Sequence, residues 1–86
     1  MKILFTDEFK RRFYKLPIHI QNLYYKQENV FKENWKDTRL HIKKLKGEQL
    51  TFSFRITRHY RVLFIVINND TSLFMTIDHR KDIYRK

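Results

Sequence analysis

Residues Leu50 to Thr57 read "LTFSFRIT", and this alternation constrains the fold more than any other feature of the chain. Leu50, Phe52, Phe54 and Ile56 recur at every second position, with Thr51, Ser53, Arg55 and Thr57 between them. Successive side chains of a strand point to opposite sides, so the segment reads as a half-buried strand with one aromatic face and one polar face. "RVLFIVI", Arg61 to Ile67, is apolar on both faces and reads as the central strand of the sheet. "NND", Asn68 to Asp70, is hairpin-turn chemistry, and "TSLFMTI" after it supplies a last strand. Three consecutive antiparallel strands result, and their aromatic face needs a cover.

That cover is legible upstream. Ile3, Leu4 and Phe5 form a short apolar strand, after which Thr6 or Asp7 offers a side-chain oxygen to cap a helix whose first turn carries Asp7 and Glu8. Phe9, Phe13 and Leu16 follow at helical spacing. Pro17 cannot continue that helix but suits the first turn of a second one, in which Ile20, Leu23, Tyr24, Gln27, Val30 and Phe31 keep the period. The pattern predicts a helical hairpin jointed at "KLP". From Lys32 to Gly47 periodicity fails and charge dominates, with Leu40, Ile42 and Leu45 as the aliphatic anchors of a connecting segment. The expected fold is α+β: an N-terminal strand, two helices and a three-stranded antiparallel meander, the helices packed on one face of the sheet. At 86 residues this makes one domain, spanning 1–86.

The chain carries 19 Lys and Arg against 9 Asp and Glu, a formal net charge of +10 that calls for a polyanionic counterpart. Hydrophobic residues at 42% and aromatics at 16% supply a core, so the charge sits on a folded body. The absence of cysteine excludes disulfide frameworks, thiolate nucleophiles and zinc ribbons, and is compatible with the expected cytoplasmic location. A single glycine excludes a glycine-rich phosphate loop, and the four histidines are not spaced like HExxH, so neither cofactor nor metal is expected. The start "MKILFTDEF" is too short in apolar residues for a signal sequence, and no stretch approaches the roughly 20 needed to cross a bilayer.

The polar face of the first meander strand carries Arg55, and Arg61 enters the central strand across a short turn, a strand end where its charge is expected near solvent. The last strand runs antiparallel to it, so His79 and Arg80 are expected close to Arg61, with Tyr84 beside them. Either three arginines from separate segments converge there, or these are solvated strand ends. Lys43, Lys44 and Lys46, with Arg55, are candidate phosphate contacts, and His41 among them is a less specific one. His19 reads as a surface histidine, and Phe9, Phe13, Tyr24 and Phe31 as packing rather than a base-stacking platform.

The segments "LKG" at Leu45 to Gly47, "SFRIT" at Ser53 to Thr57, "YRVLF" at Tyr60 to Phe64 and "HRKDIY" at His79 to Tyr84, with the "LP" joint, give the chain a pattern that resembles the RelE/ParE superfamily of bacterial toxins. The resemblance implies a RelE-like fold and a ribosome-dependent, metal-independent endoribonuclease that cleaves messenger RNA in the ribosomal A site by 2′-OH attack on the adjacent phosphate, held silent by a cognate acidic antitoxin. It implies Arg61 as the phosphate clamp, with Arg80 after the last strand and Tyr84 as stacking group or proton acceptor. It also marks departures. Phe52 and Phe54 stand where RelE carries lysines, Lys43 stands where YoeB-like members carry a glutamate, and Ile83 rather than histidine precedes Tyr84, leaving His79 and more distantly Glu48 as acid or base. A ParE-like gyrase inhibitor, or a non-catalytic member that only binds antitoxin or RNA, are the alternatives.

Overall fold

The computed structural model describes residues 1–45 and 50–83. β1 (Lys2–Phe5) leads into α1 (Asp7–Tyr14) and α2 (Ile18–Glu33), a 3₁₀ turn (Thr38–Leu40) precedes β2 (Lys43–Lys44), and β3 (Thr51–Arg55), β4 (Tyr60–Asn68), β5 (Thr71–His79) and α3 (Arg80–Ile83) follow. The sheet order is β1-β5-β4-β3-β2, with β1 parallel to β5 and the other pairs antiparallel. The α+β meander read from the sequence is present, and "RVLFIVI" lies in the middle strand.

Thr6 is the N-cap of α1 and joins that helix to the sheet. Its hydroxyl accepts from the Phe9 amide at 3.0 Å and donates to the Met75 carbonyl at 2.6 Å. Met75 falls where the β4–β5 register shifts, between the pairs Leu63–Thr76 and Phe64–Phe74, so Thr6 takes up a carbonyl that the ladder leaves over. Phe31 of α2 is fully buried and meets Phe54, Phe64 and Phe74 at ring separations of 5.4, 5.0 and 4.9 Å, one ring from each meander strand. Phe9 of α1 meets Phe74 at 5.9 Å and Tyr24 at 5.6 Å. The aromatic face of the sheet is thus the face that the helices cover, as the alternation requires.

Three details differ from the expectation. Leu50 adopts a positive φ of 46° and is exposed, so the alternating strand begins at Thr51. Leu23 keeps the helical period but is exposed as well. The connecting segment contains β2, and α3 follows β5; with two and four residues these elements are too short to display a period.

The second face of the sheet is not open throughout. Ser53, Leu63 and Thr76 are buried, and α3 packs on β4 and β5, burying Ile83. Leu63 and Ile83 lie outside the aromatic cluster on the helix side.

Candidate functional site

Register assembles the site. Arg55, Arg61 and Asp78 are successive cross-strand partners on β3, β4 and β5, forming one row across the sheet. One step further toward the strand ends, Tyr60 pairs with His79. Two steps inward are Ser53, Leu63 and Thr76, with Lys43 of β2 opposite Ser53. Cross-strand partners share a face, so Lys43 lies on the face of Arg55 and Arg61, whereas Lys44, opposite Phe52, belongs to the helix face. Both lysines are exposed.

Arg61 corrects the sequence reading. Its side chain is 5% exposed, not near solvent. Nε donates to Ser53 Oγ at 3.0 Å, and Nη2 donates to the His41 carbonyl at 2.5 Å and the Ser53 carbonyl at 3.3 Å. A buried guanidinium needs such acceptors, because an unpaired charge taken out of water is costly. His41 supplies its carbonyl from a left-handed conformation, φ 47°, directly after the 3₁₀ turn. That turn is capped by Asp37, whose carboxylate accepts from the Arg39 amide and guanidinium; these bonds hold Asp37 well below the usual carboxylate range, at about 2. Gln27 of α2 donates to the carbonyls of Arg55 at 2.7 Å and Arg39 at 3.1 Å, tying the turn and β3 to the helix.

Asp78 carries no signal of its own in the sequence; the two-residue turn at Asn69 and Asp70 makes it the partner of Arg61. Its carboxylate forms an ion pair with Arg12 of α1 and accepts from the His79 amide at 2.7 Å. His79 stacks on His59, another residue the sequence reading passed over, with centroids 5.6 Å apart and planes at 19°. The Tyr60 ring meets His79 at 5.5 Å, edge to face. His79 Nδ1 accepts from the Lys81 amide at 3.2 Å, which leaves Nε2 to carry the proton of the neutral ring. Arg80 is exposed, and its amide donates to the His59 carbonyl at 2.7 Å. Arg55, Arg61, His79 and Arg80 are therefore brought to one end of the meander. Lys46, Glu48 and Tyr84 lie outside the described residues. Among the described residues no group of three or more His, Cys, Asp or Glu could hold a metal, and no helix is long and apolar enough to cross a membrane.

The RelE3 toxin of Methanocaldococcus jannaschii is 34% identical over 86 residues, which cover 98% of this chain and 96% of that toxin. The chain belongs to the RelE/ParE superfamily of toxins. Among solved structures, the RelB–RelE antitoxin–toxin complex of Methanococcus jannaschii matches with a TM-score of 0.77 at 28% identity, covering 95% of each chain. The toxin–antitoxin complex RelBE2 of Mycobacterium tuberculosis matches with a TM-score of 0.69 at 29% identity, covering 94% of this chain and 92% of that one. No protein-family model matches the chain. RelE membership makes it a toxin of the type II toxin–antitoxin class. In this RelE-like fold Phe54 is fully buried and Phe52 packs on Trp35 at 5.2 Å and Phe64 at 5.6 Å, so both face the core. The missing lysines at these two positions take no charge from the arginine face.

Proposed function

We propose that the toxin is an endoribonuclease that cleaves messenger RNA on the ribosome. The observation that carries this reading is the fixed guanidinium of Arg61, held by Ser53 and His41 beside Arg55 on a strongly basic chain. Cleaving RNA without a metal requires a 2′-OH to attack the adjacent phosphate, added negative charge to be stabilised and the leaving 5′-oxygen to be protonated. A guanidinium fixed before the reaction suits the second task by its charge, since no reorganisation is needed at the transition state; Nε and Nη2 of Arg61 are engaged by Ser53 and His41, so the fork that meets phosphate oxygens is that of Arg55 or Arg80. In this reading Arg55 and exposed Arg80 contact phosphates, buried Arg61 supplies fixed positive charge behind Arg55, and Lys43 and Lys46 track the backbone, with Lys44 a lesser contact from the other face.

His79 presents Nε2–H while Nδ1 is engaged, so it serves as a donor toward the phosphate or leaving oxygen; acting as base requires it to release Lys81. Tyr84 is the remaining candidate for stacking or proton transfer. The partner is an acidic antitoxin. A cavity of about 350 Å³ between the helical hairpin and β1, lined by Phe5, Phe9, Tyr14 and Tyr25, with Lys10 and with Lys32 paired to Glu28, suits a segment carrying mainly apolar side chains and an acidic one for Lys10. Primer extension on translated messenger RNA after induction tests the reading. Cuts that vanish on antitoxin co-expression support it; intact messenger with blocked gyrase supercoiling overturns it.

A further inference from the structure

We propose that His59 is a stacking platform for an unpaired RNA base next to the scissile phosphate, a role that rests on the ribonuclease reading. His59 closes the turn between β3 and β4 and is exposed. Its backbone is fixed from both sides: the amide donates to Thr57 Oγ1 at 3.1 Å, and the carbonyl accepts from the Arg80 amide at 2.7 Å. One face of its ring lies on His79, at 5.6 Å and 19°. His79 is itself braced by the Tyr60 ring and by the Lys81 amide on Nδ1. The imidazole of this exposed residue is therefore stacked on a braced neighbour.

Its surroundings select the ligand. Exposed Arg58 adjoins it in sequence and exposed Arg80 is bonded to it through the main chain, with Lys81 and Asp82 following, a local excess of positive charge that favours an anionic chain. His79 Nδ1 is engaged by the Lys81 amide, and the two rings belong to no group of three or more His, Cys, Asp or Glu that could hold a metal among the described residues. The Arg80 amide is bonded to the His59 carbonyl, so a phosphate held by exposed Arg80 leaves its adjoining base within reach of the ring. Unpaired bases stack on histidine as on other aromatic side chains, and such contacts tolerate any base because each has a π-face.

The test uses the whole chain and a short fluorescent 2′-O-methyl RNA, which cannot be cleaved because the attacking hydroxyl is blocked. Fluorescence anisotropy is read for wild type, His59→Ala and His59→Phe, on that RNA and on a copy carrying one abasic position. His59→Ala is expected to lose on the order of tenfold in affinity for the intact RNA, with an unchanged salt slope, and His59→Phe to retain wild-type affinity. The abasic copy is expected to bind all three proteins alike. Equal binding by wild type and His59→Ala, an equal loss on the abasic copy, failure of phenylalanine to substitute, or no measurable binding by wild type each overturns the platform. Primer extension on translated messenger, run in parallel, separates the two ideas: cuts by wild type together with unaltered binding by His59→Ala leave the ribonuclease standing and remove only the platform.

Discussion

Arg61 donates from Nη2 to the main-chain carbonyl of His41 at 2.5 Å, across 20 positions of sequence. The cation at the centre of the candidate site is thereby part of the packing, and its removal affects folding as well as chemistry. Arg61→Ala leaves the His41 carbonyl and Ser53 hydroxyl without this donor, an expected loss of about 1.5–3 kcal/mol in unfolding free energy. Cleavage, normalised to folded protein, is expected to fall a hundredfold or more, about 2.7–4 kcal/mol of barrier. Arg61→Lys restores part of each, because an ammonium cannot reproduce the fork. Urea denaturation followed by circular dichroism, with primer extension, reads both quantities; wild-type cleavage by folded Arg61→Ala contradicts the assignment.

Lys43 and Lys44 are neighbours in sequence but belong to opposite faces of the sheet. Lys43→Ala is expected to weaken RNA binding and to lower the slope of log affinity against log salt by about 1. Lys44→Ala is expected to change it less. Titrations by anisotropy at several salt concentrations check the difference, and equal slopes show that the face makes no distinction.

Tyr14 lines the cavity beside β1 and is 72% exposed. Tyr14→Glu is expected to change stability by no more than about 0.5 kcal/mol. A like charge at this rim should nevertheless weaken antitoxin binding while leaving cleavage intact. Calorimetric titration with the purified antitoxin measures the first effect and primer extension the second.

Tyr24 is buried, and its hydroxyl donates to Glu28 Oε2 at 2.6 Å. Burial first, and then the bond to Glu28, push its pKa above the ordinary 10.0. The folded state favours the protonated phenol, so this contribution is complete below pH 10.0 and is lost as pH rises beyond it. The urea midpoint of wild type should decline above about pH 10, and Tyr24→Phe, which has no phenol to ionise, should decline less.

Much of the site was legible because the β4–β5 ladder has two register shifts, one near Ile67 and one near Met75, that cancel. Counting outward from a two-residue turn at Asn69 and Asp70, with Asn68 opposite Thr71, therefore gives the correct pairing of Arg61 with Asp78 and of Tyr60 with His79, whereas a turn of all three residues would put Ile77 opposite Arg61. The burial of Arg61 was not legible, since it depends on the backbone of His41, remote in sequence and in a conformation that no local pattern announces. Asp78 and His59 carry no local signal for a like reason: Asp78 meets Arg12 across 66 positions, and His59 meets His79 only once the strands are paired. The strand alternation located Phe52 and Phe54 on the aromatic face from the outset, and so already contained the reason why lysine is absent there.

The hydroxyl bond from Thr6 to Met75 spans 69 positions, and β1 joins the sheet by pairing with β5. At about 5–20 residues per second, a ribosome needs several seconds after making the first strand to deliver its partner. During that interval the helical hairpin has no sheet to cover, and Arg55, Arg61 and Asp78 have no common row to occupy. A nascent chain thus carries no formed site toward the machine it is proposed to attack until β5 has been made.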